Sequence, residues 1–311
     1  MAGPTPAIEL RRLRHLDAED AAGRRRAVSA ASGLVRAGGW FHVVADNSLH
    51  LASFAVGSAA PGRLTPLASG AGDAATPLAK AQKPDFEALA LLPPAPRHPH
   101  GALLAMGSGS TAARMRGALV ALDADGGILG GPGAVRDFDL GPILFAALGG
   151  IFAEANIEGA IAAGGRLLLF QRANMGDPRN AVAAFSLDAV LAAIEGGPPP
   201  AAPAIAFVDL GSADGVPLGF TDACLLGETI VFAAVAERTA NAYDDGAVVA
   251  ARLGLLSAAF AVLHQWPLSP LLKYEGLEVV DTDAGRVAWL VTDADDPASR
   301  SGLFTARLPL S

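Results

Sequence analysis

The sequence predicts an all-β chain folded as a five-bladed β-propeller with four-stranded blades. Three observations carry this: a strand-turn-strand pattern that recurs five times, a spacing of about 61 residues between recurrences, and no convincing amphipathic helices of ten or more residues. The 311 residues are half apolar and only 17% charged, which permits a large buried core in one all-β unit.

The five recurrences open at Ser32-Gly33-Leu34, Glu87-Ala88-Leu89, Glu158-Gly159-Ala160, Thr221-Asp222-Ala223 and Glu275-Gly276-Leu277. Steps of 55, 71, 63 and 54 residues separate positions 32, 87, 158, 221 and 275. An apolar strand follows each opening, as in Leu103-Leu104-Ala105-Met106 and Leu167-Leu168-Leu169-Phe170. Turns such as Ala37-Gly38-Gly39, Gly164-Gly165, Leu226-Gly227-Glu228 and Asp283-Ala284-Gly285 supply the glycines that tight hairpins need.

Third strands are expected at 50–56, 117–122, 181–187, 247–253 and 302–308, and fourth strands at 135–140, 205–210 and 260–266. The last unit lacks a fourth strand. The N-terminal segment Ile8-Glu9-Leu10-Arg11-Arg12-Leu13-Arg14 is expected to supply it and close the ring, which removes a free sheet edge. The expected organisation is one domain over 1–311, with blades near 29–80, 81–142, 150–212, 215–268 and 271–311 plus the strand 7–14. Segments 58–83, 93–99 and 196–203 are rich in Gly, Pro and Ala and read as loops. Residues 186–194 read as a short helix capped by Ser186.

Net charge is −8, which excludes a dedicated nucleic-acid binder with a strongly basic face. The one basic run, Arg24-Arg25-Arg26, reads as a solvated loop or turn. The single cysteine, Cys224, lies in an apolar run and reads as a small buried hydrophobe. One cysteine is compatible with a reducing compartment. No stretch resembles a signal peptide or a membrane span, so a cytoplasmic location without a membrane partner is expected.

Propeller blades place their first strand innermost, so the opening residues Ser32, Glu87, Glu158, Thr221 and Glu275 face the axis. Antiparallel pairing brings the ends of the second strands to the same face. That adds Asp46, Asn47, Ser108, Ser110, Arg172, Asn174, Glu237, Arg238, Asp293 and Asp295. Three converging glutamates repel one another; a proton, a cation or solvent must relieve them. Oxygen donors suit a hard cation such as calcium, and no Cys or His spacing suggests zinc. Lys83 and Lys273 precede ring acids as counter-charges. Arg172 either neutralises Glu158 or steers a substrate anion. The Gly107-Ser108-Gly109-Ser110-Thr111 loop lacks the lysine of a P-loop and reads as a tight bend.

Lys273-Tyr274-Glu275-Gly276-Leu277-Glu278-Val279, Gly219-Phe220-Thr221-Asp222 and the Phe41 to Leu51 hairpin with Asp46 resemble motifs of calcium-activated soluble apyrases. The Glu-Gly openings are also similar to those of phytase-like and esterase-like bacterial propellers. The resemblance implies a five-bladed propeller with one axial calcium held by Ser32, Glu87, Glu158, Thr221 and Glu275. Asn47 stands where the apyrase hairpin has an arginine. The His- and Arg-rich approach to the first ring serine is also absent here.

The expected function is a calcium-centred hydrolase of a small phosphate-bearing or related anionic substrate. Asp46 or Asp293 would serve as general base, and Arg172 would steer the anion. Two other functions stay open. One is a non-enzymatic binding or scaffold propeller with a structural axial cation. The other is a glycoside hydrolase using paired funnel carboxylates such as Glu158 and Glu275.

Overall fold

The structure is a computed structural model that describes residues 5–71, 78, 82–238, 246–283, 285–294, 296 and 298–309. The expected Asp295, and Ala284 of one predicted turn, lie outside the described residues.

Five sheets, each with an antiparallel four-stranded core, form the blades of a β-propeller. Their innermost strands are Ala31–Ala37, Phe86–Leu92, Ile157–Ala163, Gly219–Leu226 and Tyr274–Thr282. Each packs against the next, and the last packs against the first, so the ring is closed.

Both faces of every blade are covered. Five hydrophobic clusters fill the spaces between neighbouring blades among the described residues. On strand Ala102–Gly107, Leu104 and Met106 pack toward blade 3, while Leu103 and Ala105 pack toward blade 1. A strand buried on two faces needs an uninterrupted apolar run, and this is why the second strands show no alternation. Cys224 is buried, as expected, in the space between blades 4 and 5.

Arg11–His15 pairs antiparallel with Gly302–Arg307 and completes blade 5, as the sequence predicts. The single N-terminal strand expected over 8–14 is, however, two strands. Ile8–Glu9 joins blade 4 instead, parallel to Val262–Ser269, and the Leu10 amide donates to the Ser269 carbonyl at 2.6 Å. The N-terminus therefore staples two blades rather than one.

Blade 1 departs most from expectation. Gly62–Pro66, expected as loop, is its fourth strand, and Asp17–Glu19 and Arg25–Ala27 extend the sheet to six strands. Arg25 and Arg26 of the basic run therefore lie in a strand, Arg24 precedes it, and Arg24 and Arg25 stay largely exposed. Arg24 pairs with Asp20 at 2.8 Å, Arg25 with Asp17 at 3.1 Å, and Arg26 with Asp20 at 3.3 Å. Pro61 precedes and Pro66 ends this fourth strand, which lies between His50–Ala55 and Asp17–Glu19, and prolines at both ends mask the strand signal in the sequence.

The long step between blades 2 and 3 is a helical insertion. A π-helical turn, Gly141–Phe145, runs into Ala146–Leu148 and buries Leu144, Phe145 and Leu148 between the blades. The expected helix is Leu187–Ile194, with the Ala189 amide donating to the Ser186 hydroxyl at 3.4 Å. No helix among the described residues is long and apolar enough to cross a membrane.

Candidate functional site

Every ring residue sits at an irregularity in its strand. The pairing of innermost and second strands shifts register between Ala31 and Leu34, between Phe86 and Ala88, between Ile157 and Gly159, between Phe220 and Asp222, and between Tyr274 and Leu277. The residues left over include Ser32, Glu87, Glu158, Thr221 and Glu275. A β-bulge leaves one residue unpaired and re-aims its side chain. Five bulges recur at the same place in five blades, each at a polar residue on the innermost strand.

The next residue makes room for the neighbouring blade. A Cβ on Gly276 would lie 2.6 Å from the Leu34 amide nitrogen, and one on Gly33 would lie 2.9 Å from the Glu87 carbonyl. A Cβ on Gly159 would meet Ala223 nitrogen at 3.0 Å. In blade 4 the same position is Asp222, whose buried carboxylate accepts the amides of Leu277 and Ala223, each at 2.7 Å. The Glu-Gly and Ser-Gly openings thus combine an axial polar group with a close inter-strand approach.

Backbone hydrogen bonds then link the blades on the funnel side. The Asp85 amide donates to the Asp46 carbonyl at 3.0 Å, Ser108 to Asp85 at 2.9 Å, and Ile157 to Ser108 at 2.9 Å. The end of one second strand is thereby fixed beside the start of the next blade.

The charged groups separate into two halves. In the first, Asp46, Asp85 and Glu87 bring one carboxylate oxygen each within 4.8 Å of one another. Lys83 Nζ lies 2.5 Å from Asp46, while Asp85 accepts from the Ser108 hydroxyl at 2.5 Å and pairs with Arg114 at 3.0 Å. Asp46 Oδ1 is buried without a hydrogen-bond partner. Burial pushes the Glu87 carboxyl well above its usual range, and the charges of Glu158, Asp85, Asp46 and Glu275 push it further. Burial also raises Asp46, against the opposing pull of Lys83.

In the second half, Arg172 is the hub. It hydrogen-bonds Glu237, lies 3.4 Å from Glu158 and stands 3.8 Å from Glu275. Lys273 stands 3.5 Å from Glu275, 3.6 Å from Asp293 and 3.7 Å from Glu237. Asn156 donates to Glu158 at 2.7 Å. Burial pushes Glu275 well above the usual range despite Lys273 and Arg172. Burial would raise Glu237 too, but Arg172 and Lys273 outweigh it and hold that carboxyl below its usual range. Glu275 Oε2 and Glu237 Oε1 are buried and have no hydrogen-bond partner.

The two ring hydroxyls are engaged locally. Ser32 donates to the Ala30 carbonyl at 3.1 Å and Thr221 to the Tyr274 carbonyl at 2.8 Å. Lys83 and Lys273 are counter-charges, as the sequence suggests, and Arg172 pairs with Glu158. The Gly107–Thr111 segment is a bend: Gly109 adopts φ +78, and a Cβ there would strike the Phe145 ring. Asp85 escaped the sequence reading. Its signal is an aspartate one residue before a strand, in the left-handed conformation with φ 55, which Asp tolerates better than most residues.

A family model described as a family of unknown function, DUF6929, matches residues 27–308. The chain belongs to DUF6929. No curated protein matches this DUF6929 chain. Among solved structures it is similar to the α-L-arabinofuranosidase PaAbf62A from Podospora anserina in complex with cellotriose, at 13% identity, TM-score 0.50 and 98% coverage of both chains. A glycosyl hydrolase from Bacteroides ovatus is 12% identical over 99% of this chain and 94% of that one, with TM-score 0.44. An apocarotenoid oxygenase mutant from Synechocystis is 10% identical with TM-score 0.34, and the match covers 89% of this chain but only 57% of that one. At these identities the likeness is one of fold. None of the three is an apyrase.

Proposed function

We propose that the funnel is a hydrolytic site for glycosides, with Glu275 as general acid and Glu237 as the ionised base or nucleophile. One observation carries this reading. Glu275 Oε2 and Glu237 Oε1 are buried without hydrogen-bond partners, although Arg172 and Lys273 stand against both carboxyl groups. Buried polar atoms are normally satisfied, so a pair left open in one funnel points to a ligand that completes them.

Glycoside hydrolysis needs one carboxyl that holds a proton and one that does not. Burial favours the protonated form of Glu275, while Arg172 and Lys273 favour the ionised form of Glu237. Environments that push two carboxyls apart assign the acid and the base. Glu275 would protonate the leaving oxygen, and Glu237 would activate water or attack the anomeric carbon. Glu158, the partner expected from sequence, lies against Arg172 and adds to the rise of Glu275. The glycosyl hydrolases of similar fold lend the reading company but not residues.

The phosphate-hydrolase reading is weaker on this geometry. Gripping a phosphate needs available cations, and Lys83, Arg172 and Lys273 each face funnel carboxylates. A reducing, cytoplasmic setting remains part of the proposal, since a single cysteine forms no intramolecular disulfide.

A second reading concerns Asp46, Asp85 and Glu87, whose clustered oxygens and unpartnered Asp46 Oδ1 suit a hard cation such as calcium. Bound there, calcium would supply a fixed positive charge and pin blade 1 to blade 2. This set shares only Glu87 with the five-residue ring, because Glu158 and Glu275 face Arg172. A chelated sample melted with calcium, with magnesium as control, tests it. Saturation at 100 times the dissociation constant adds about 2.7 kcal/mol, and Asp46→Asn abolishes the rise.

The hydrolase reading is tested with a panel of aryl arabinofuranosides, fructosides and glucosides. Turnover of at least one member is expected, with Glu275→Gln slowed about 10²–10⁴-fold. No turnover across the panel, or a fully active Glu275→Gln, would overturn it.

A further inference from the structure

The funnel continues outward along blade 3. A single row of paired residues leads away from the axis: Ile157 pairs with Gln171, Gln171 with Ala181, and Ala181 with Phe207. Ile157 precedes Glu158, so the row starts at the acids. Three strand spacings of about 4.8 Å each place Phe207 roughly 14 Å outside Ile157, on the funnel side of the blade.

Phe207 is 56% exposed. It is not a loose surface ring. The Arg179 guanidinium stands 4.9 Å from its centroid and 5.6 Å from that of Phe152. Arg179 Nε donates to Asp177 at 2.7 Å, and its Nη2 donates to the Ile151 carbonyl at 2.8 Å. Asp177 also accepts the Ala153 amide at 3.0 Å. Phe152 is buried and meets Phe207 edge-on at 6.5 Å. The ring is thus pinned by Arg179 and Phe152, and more than half of the residue still faces solvent. The loop that leaves Arg172 carries both Met175, 66% exposed, and Arg179.

We propose that Phe207 forms an outer subsite that receives a further sugar unit of an oligosaccharide whose scissile bond lies at Glu237 and Glu275. This rests on the glycoside reading above and narrows it to oligomeric substrates. A rigid aromatic face buries the apolar face of a flat ring at low conformational cost. One ring is far too small for a protein interface, which takes about 800 Å² per partner. Its row leads back to Glu158 and to Arg172, whose guanidinium stands against Glu237 and Glu275.

The test titrates tri- to pentasaccharides of arabinose, fructose and glucose into wild type, Phe207→Leu and Phe207→Trp by calorimetry, beside turnover of the aryl monoglycosides. At least one oligosaccharide is expected to bind wild type. Phe207→Leu should weaken it about tenfold or more, a change of about 1.4 kcal/mol. Phe207→Trp should match or exceed wild type, and aryl monoglycoside turnover should be the same in all three. Binding that depends on residue 207 without turnover would sink the hydrolase reading alone. Equal affinity in wild type and Phe207→Leu, or no binding by any oligosaccharide, overturns the subsite. If Phe207→Leu melts early, the Phe207→Trp affinity decides: a well-folded Trp variant that binds no better than the Leu variant counts against it.

Discussion

The guanidinium of Arg172, carried by blade 3, hydrogen-bonds the carboxylate of Glu237, carried by blade 4. The same group lies against Glu158 and Glu275, so one guanidinium joins acids from three blades. Removing it takes the main counter-charge from Glu158 and Glu237. Arg172→Leu should therefore lose about 3–5 kcal/mol of stability at neutral pH, as breaking buried pairs does. The deficit should shrink at low pH, where the acids take up protons. Urea unfolding at two pH values checks both statements.

His42 makes the fold acid-sensitive. Its ring is fully buried between Ser53 Oγ at 2.9 Å and the Gly126 carbonyl at 2.8 Å, a latch from blade 1 to blade 2. Burial lowers its pKa from 6.5 to about 4. A depressed pKa means that the contribution is complete above the unfolded value of 6.5 and is lost as pH falls toward 4. The loss should approach about 3 kcal/mol at 1.36 kcal/mol per unit. His42→Gln should flatten that part of the stability profile.

Glu278 acts in the opposite direction. Its carboxylate accepts the Arg36 amide at 2.9 Å across the seam between blades 5 and 1. Burial raises it from 4.5 to about 7. A raised pKa contributes fully below 4.5, and the contribution is lost as pH climbs through 7. Glu278→Gln should remove this decline, so the variant gains relative to wild type between pH 5 and pH 8. A chemical denaturation series over that range reads the difference.

Gly276→Ala should be among the most damaging single-methyl changes. The new Cβ meets Leu34 nitrogen at 2.6 Å and Gly33 carbon at 2.8 Å, both backbone atoms that cannot swing aside. Overpacking of this kind costs about 1–3 kcal/mol or more. Gly285→Ala is the control: it has open space and only its positive φ of +104 to oppose it. Thermal melts should rank Gly276→Ala well below Gly285→Ala.

These predictions also show what a single sequence reveals. The equivalent positions of Ser32, Glu87, Glu158, Thr221 and Glu275 on the innermost strands were legible because they repeat, and a repeat needs no knowledge of contacts. Lys83 and Lys273 were legible because they adjoin ring acids in the chain. The bulges were not, since pairing register depends on the partner strand. Asp85 was missed because its importance comes from Asp46, 39 positions earlier, which only the inter-blade backbone bond brings near. Gly62–Pro66 was missed, and the break that sends Ile8–Glu9 to blade 4 was not foreseen, because strands this short are stabilised by their neighbours rather than by their own composition.

The central claim is that Glu275 holds a proton at neutral pH while Glu237, which shares Arg172 and Lys273 with it, does not. Difference infrared spectra of wild type against Glu275→Gln and Glu237→Gln at pH 7 measure this directly. The account predicts that Glu275→Gln removes a protonated-carboxyl stretch and that Glu237→Gln removes a carboxylate stretch. A carboxylate band lost in Glu275→Gln, or a protonated band lost in Glu237→Gln, would contradict it.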